Sequence, residues 1–267
     1  MASRIGHDKH SFSKPRLRLR RLFAAGTHFL FSLAVAAVCA FVVFRIWYPA
    51  PFDVLAGGIS LFLLVITVDV VLGPTLTAVV AAPAKPLRVL RRDLAIIVVV
   101  QLAGLAYGLW TIAQARPVFL SYEIDRFRVV TAADIETSML DKAPAALQGL
   151  PWLGPQTIAA VKPSDPQEQL RSIDLGLAGI DLSMVPANWR GYASQSDAAW
   201  RAAKPVKVLL ARYPAIAADV QRIAEEAHQP IDELRFLPVL SRRESWVALM
   251  AQPQAQVVGY LPVEGFF

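Results

Sequence analysis

The chain has 267 residues, 55% of them hydrophobic and 18% charged, with a mean hydropathy of +0.43 and a formal net charge of +6. A wholly soluble protein of this length carries less apolar and more charged material, so that class is excluded. Nucleic acid is not the partner the charge implies, because residues 116–267 hold 15 Lys/Arg against 17 Asp/Glu and the basic excess lies in the first 115 residues.

In chain order, residues 1–21 form a basic tail with 7 Lys/Arg, among them Arg16, Arg18, Arg20 and Arg21. Residues 22–115 follow as a membrane region in which charge is confined to Arg45, Asp53, Asp69, Lys85, Arg88, Arg91, Arg92 and Asp93. About 20 helical residues cross a bilayer core. The apolar runs predict three spans, at about 22–47, 54–82 and 94–115. Trp47 and Tyr48 suit the interface at the end of the first span, and Pro49 and Pro51 stop it. A signal peptide is the competing reading of this N-terminus, but the run is too long for one and lacks a cleavage site followed by polar sequence. The second run is longer than a bilayer needs, so it tilts or lays its first turn in the interface.

Basic residues fix the orientation. The tail and the loop carrying Lys85, Arg88, Arg91 and Arg92 are expected inside, and the uncharged-to-acidic loop "YPAPFDVLAGG" outside. Three spans then place residues 116–267 outside the cytoplasm, in the periplasm of a bacterium with two membranes.

That last part reads as a small α+β domain with a mostly antiparallel sheet. "RPVFLSYEIDRFRVVT" alternates like a strand bent at Asp125-Arg126, and Thr131 caps a short helix. "PWLGPQTIAAVKPSDP" reads as a loop by its prolines, and a helix starts at Ser164 or Asp165. Two further helical stretches follow, one interrupted at Pro205. "ELRFLPVLSRRESWVALMA" and "QVVGYL" then supply three strands.

Chemistry is hard to find. The single cysteine, Cys39, excludes an intrachain disulfide and a thiol–metal centre, and His7, His10, His28 and His228 have no ligand spacing. No metal or other cofactor is expected. No GxSxG, HExxH, P-loop or GxGxxG occurs. Trp152, Trp189, Trp200 and Trp246 suit a core better than a binding face. An enzyme is not expected.

The sharpest feature is "VDVVLGPTLT" in the second span, which holds Asp69, Gly73, Pro74 and Thr77. A carboxylate at the bilayer centre costs about 2.5–3.5 kcal/mol on insertion scales, so it must face protein, be paired or be protonated. Asp69, Gly73 and Thr77 share one helix face at i, i+4 and i+8. Measured from the expected cytoplasmic ends, Tyr107 of the third span is the depth-matched donor, with Gln101 in reserve. Gly104 and Gly108 beside it form a small-xxx-small stripe suited to close helix approach.

Several blocks carry a resemblance: "GTHFLFSLAVA", "WYPAPF", "VDVVLGPTLT", "RRDLAIIVVVQLAGLAYGLWTIAQARPVFL" and "DRFRVVTAADI". In this order they resemble the type IV pilin accessory proteins of the TfpX/TfpZ kind. The resemblance covers most of the chain and is most specific in its first half. It implies an inner-membrane chaperone or assembly factor for a cognate type IV major pilin, working among other pilus assembly components before polymerisation, with no catalysis and no cofactor. A pilin before assembly has an apolar helix in the membrane and a head in the periplasm, and this chain offers a surface to each.

The polar face then has three readings. It staples the spans together, or it receives the pilin helix where Pro74 leaves the Val70 carbonyl without its usual donor. A proton relay is the third, weakened because three spans with one acid give no continuous path. A membrane-anchored periplasmic sensor or ligand-binding protein is the alternative for the whole chain.

Overall fold

The computed structural model describes residues 14–80 and 86–267. Lys85, His7, His10 and the first part of the basic tail lie outside the described residues. Two compact units emerge. One gathers the chain up to Val42 with Ser60–Thr111, and the other gathers Val43–Ile59 with Ile112–Phe267.

The helical unit rests on three long helices. Helix α1 (Lys14–Phe41) runs on into a wider, π-helical stretch, Val42–Trp47. After a short α2 (Phe52–Leu55) come α3 (Gly58–Val80) and α4 (Leu87–Gln114). The segments Gly26–Trp47, Gly58–Val80 and Arg88–Gln114 are long and apolar enough to cross a membrane. Arg16, Arg18, Arg20 and Arg21 fall at the start of α1, and Arg88, Arg91 and Arg92 lie exposed at the start of α4.

The second long helix starts at Gly58, a few residues after the expected 54. The chain breaks first at Ala56-Gly57, where Gly57 takes a φ of +74° that L side chains rarely adopt. A side chain there would also run into Arg243. Tyr48, expected at the interface, is covered by protein. It is fully buried, and its hydroxyl donates to the Ile112 carbonyl at 2.8 Å. Gly58 makes room for the ring, since a Cβ there would lie 2.6 Å from Tyr48 Cδ1.

The second unit is built on one sheet. Its strands are β1 (Pro117–Glu123), β2 (Arg126–Thr131), β3 (Gln156–Ala160), β4 (Trp189–Gly191) and β5 (Lys204–Pro205). The C-terminal part adds β6 (Arg235–Leu240), β7 (Ser245–Ala251) and β8 (Gln256–Leu261). The order is β4-β3-β1-β2-β6-β7-β8, with β5 also pairing with β6. Four helices accompany it: α5 (Pro166–Leu177), α6 (Ser196–Ala202), α7 (Val206–Arg212) and α8 (Ala217–Glu226).

The sheet is mixed rather than simply antiparallel. β1 runs parallel to β3 and β2 parallel to β6, while the other pairs are antiparallel. The first parallel pair escapes a sequence reading because β3 is only five residues long and sits in a proline-rich stretch. The bend expected at Asp125-Arg126 is a hairpin turn through Ile124, at φ +58°. The helix capped by Thr131 is a single 3-10 turn, in which Asp134 accepts from the Thr131 backbone and hydroxyl, each at 2.8 Å.

Alternate side chains send apolar groups to both faces, which is why the central strands read as near-continuous hydrophobic runs. On one face Leu120, Tyr122, Phe127, Val129, Leu237, Val239, Ala248 and Met250 pack under α6 and under Phe52 and Leu55 of α2. The other face packs Phe236, Val247 and Leu249 against α7 and α8, and Phe119, Val130 and Ile158 against Trp189. The loop between the first two apolar helices is thus part of the core of the C-terminal unit. Residues 43–59 extend that unit beyond the expected 116–267.

Candidate functional site

The described part of the helical unit holds one buried polar cluster, drawn from all three helices. Asp69, Gly73 and Thr77 do share the inner face of α3: Gly73 and Thr77 are buried and Asp69 half-buried. The Gln101 amide donates to Asp69 Oδ1 at 3.2 Å and to the Asp69 carbonyl at 3.4 Å. His28 Nδ1 and Thr77 Oγ1 lie 2.6 Å apart. Gly73 lets these groups meet, because a Cβ there would collide with the Gln101 amide and lie 3.1 Å from His28 Nε2. Hydrogen bonds therefore tie α3 to α4 and α1 to α3.

Tyr107 is not the partner of Asp69. It is 70% exposed and its ring lies 5.9 Å from that of Trp110. Two geometric facts explain this. Helix α4 begins at Leu87 rather than near residue 94, which brings Gln101 about 21 Å along it, against about 16 Å from Val80 back to Asp69. Tyr107 also stands six residues beyond Gln101, about 120° round the helix from the face that Gln101 and Gly108 share. Matching depth alone ignored that rotation.

The glycine stripe divides in the same way. A Cβ on Gly108 would lie 2.5 Å from Val65 Cγ1, so α3 and α4 are in close contact there. At Gly104 nothing lies within 4 Å. Pro74 does not end α3, and the neighbouring Thr75 hydroxyl donates to the Val71 carbonyl at 2.6 Å. Gln101 Oε1 is buried with no donor among the described residues. Chemically the cluster is a hydrogen-bonded clasp in which Asp69 is met by the Gln101 amide. His28 is the member a sequence reading misses, because its signal is depth and facing rather than spacing to other ligands.

In the second unit two features stand out. Glu123 is buried and accepts from the Ser183 hydroxyl at 2.6 Å and the Ser183 N–H at 3.3 Å. Burial pushes its carboxyl above the usual glutamate range, only partly countered by the Ser183 hydroxyl. The Trp189 indole donates to the Ser183 carbonyl at 2.8 Å, and Arg128 pairs with Asp181 at 2.5 Å. This network fastens the segment around Ser183 to the sheet. A cleft of about 310 Å³ lies between α5 and the segments around Met139 and Pro186. No residue of α5 is buried.

Three membrane-length helices, a polar clasp among them and a mixed-sheet domain mark the class of a membrane protein with a second, folded unit. Comparison with known proteins gives the family. The family profile of the fimbrial assembly protein FimB matches residues 16–57. A fimbrial assembly protein of Dichelobacter nodosus serogroup I is 34% identical over 239 residues, covering 86% of this chain and 92% of that protein. Its serogroup E1 counterpart is 32% identical over the same length, with the same coverage. One from serogroups C1 and C2 is 41% identical over 130 residues, 48% of this chain and 97% of that protein. The chain belongs to the fimbrial assembly protein family. No solved structure matches it.

Proposed function

We propose that this protein is an inner-membrane accessory factor that helps a cognate type IV pilin enter the pilus, without enzymatic activity. The observation that carries the reading is the likeness to fimbrial assembly proteins over 86% of the chain. The basic residues around the helices support a cytoplasmic N-terminus and a periplasmic C-terminal unit. That Phe52 and Leu55 share a core with β1 and β6–β8 supports placing the first loop and the C-terminal unit on one side of the membrane.

The residues proposed for the membrane region sort into two groups. Asp69, Gly73, Thr77 and Gln101 hold the helices together, because their polar groups are turned to one another and to His28. Gly104 and Tyr107 face outward and form the contact for the apolar pilin helix, with Gly104 giving room for close approach. Tyr107→Ala and Gly104→Leu should lower pilin co-purification while leaving the abundance of this protein normal. Asp69→Leu and Gln101→Leu should lower abundance itself. Normal pilin capture in both outward variants would remove that face from the mechanism.

The overall role is tested by deleting the gene, then counting surface pili and measuring pilin levels. Unchanged piliation would end the proposal. A sensor or ligand-binding role is the second reading, favoured by the cleft beside α5. Loss of pili on deletion, restored by a variant whose cleft is filled at Ser172→Trp, would set it aside.

A further inference from the structure

The turn Leu150–Gly154, sequence "LPWLG", carries Leu153 at 86% exposure and Trp152 at 56%. An isolated exposed leucine needs no explanation, but this one stands on a turn fastened at four points. Leu150 packs on the cluster around Trp189. The Pro151 carbonyl accepts from Arg116 Nε at 3.2 Å. The Arg116 guanidinium lies 3.8 Å from the centre of the Trp152 ring. Gly154, at φ +79°, fits where a Cβ would come within 3.2 Å of Pro49 Cγ.

Apart from the Leu150 contact, those anchors involve Arg116 and Pro49, each two residues beyond the end of a membrane-length helix. Trp47 is the last residue of the first such helix, and its ring lies 6.2 Å from that of Trp152. Arg116 follows two residues after Gln114, the last of the third. It is only 3% exposed, and its Nη1 donates to the Ala113 carbonyl at 2.7 Å. A buried arginine thus holds the turn beside the end of the third such helix. Tryptophan beside an arginine, with an aliphatic tip beyond, is the chemistry of the headgroup region.

We propose that Trp152 and Leu153 form a wedge in the interface of the same bilayer that the three helices cross, an extra membrane contact made by the C-terminal unit. The inference rests on reading those helices as spans. Trp47, Trp152 and Arg116 then make one interfacial patch, and Leu153 reaches past it toward the acyl chains.

The test uses the full chain in nanodiscs, in a Cys39→Ala background that removes the sole cysteine. An environment-sensitive fluorophore is placed at Leu153→Cys, at Leu177→Cys on α5, and at Val99→Cys within α4. Spin-labelled lipids with shallow or deep labels serve as quenchers. At Leu153 the wedge gives blue-shifted emission and shallow-label quenching several-fold stronger than at Leu177, with Val99 quenched by deep labels. Water-like, unquenched emission at Leu153 with normal deep quenching at Val99 overturns the wedge. Loss of quenching at Val99 overturns the span reading instead. Shielding of Leu153 that grows with protein concentration assigns the turn to a second copy and also overturns the wedge. Native Trp152 is the independent check: brominated lipid should quench the wild-type chain more than Trp152→Phe.

Discussion

Replacing Phe52 by Ala should destabilise strands that lie more than sixty residues away in sequence. Phe52 is 6% exposed, lies in the core with Leu120, Phe127 and Leu237, and meets Tyr260 edge-on at 5.7 Å. Removing a buried phenyl ring costs about 3–5 kcal/mol, and a site near the rim of the core, able to relax, belongs at the lower end. For a unit of this size about 1 kcal/mol moves the melting temperature by roughly 2–4 °C, so the loss is on the order of 6–12 °C. Hydrogen exchange of the full chain in nanodiscs reads it directly, as lost protection in β6, β7 and β8. Leu63→Ala, on the exposed side of α3, is the control and should leave those strands protected. Unchanged protection in Phe52→Ala would refute the shared core. So would a fragment 116–267 that melts cooperatively at the temperature of the intact chain.

Three further outcomes follow from the geometry. Gly108→Ala should destabilise the helical unit by about 1–3 kcal/mol through overpacking on Val65, whereas Gly104→Ala meets nothing and should be neutral, as thermal melts in detergent would show. Gly57→Ala should destabilise the C-terminal unit, since the residue combines a positive φ with the neighbouring Arg243 side chain; near-UV circular dichroism on heating measures it. Glu123 has a folded pKa raised above its unfolded 4.5. The stability it contributes is therefore full below about pH 4.5 and is lost as pH rises through the raised value. Glu123→Gln should accordingly flatten this part of the pH profile, gaining on the wild type at pH 8 relative to pH 4; a difference that grows toward acid would reverse the sign.

The sequence made the three apolar helices legible because membrane length and charge exclusion are coarse signals that survive errors of several residues. The inner face of α3 was equally readable, since i, i+4, i+8 spacing within one helix requires no knowledge of neighbours. What failed was each judgement that depended on a second element. Tyr107 and Gln101 were separated by a helix start seven residues earlier and a rotation of about 120°, neither of which the apolar run encodes. β3 was hidden because its apolar stretch is short and its pairing partner is parallel and more than thirty residues distant. Tyr48 looked interfacial because a tyrosine before prolines at a span end has the same local sequence whether it faces lipid or a folded domain.

The segment matched by the FimB profile, residues 16–57, acquires a physical meaning from this arrangement. Taken as sequence it is one span and a loop. In the structure it starts on α1, passes through the π-helical stretch, buries Tyr48, Phe52 and Leu55, and ends at the backbone break of Gly57. It is one of the parts of the chain that join a membrane-length helix covalently to the core of the C-terminal unit. A truncation at Arg116 consequently removes more than a soluble domain, because it strips the cover from Phe52 and Leu55 and leaves an apolar loop exposed. Loss of pilin binding in such a truncation would not locate the binding surface, whereas the point variants at Gly104 and Tyr107 leave that core intact and do.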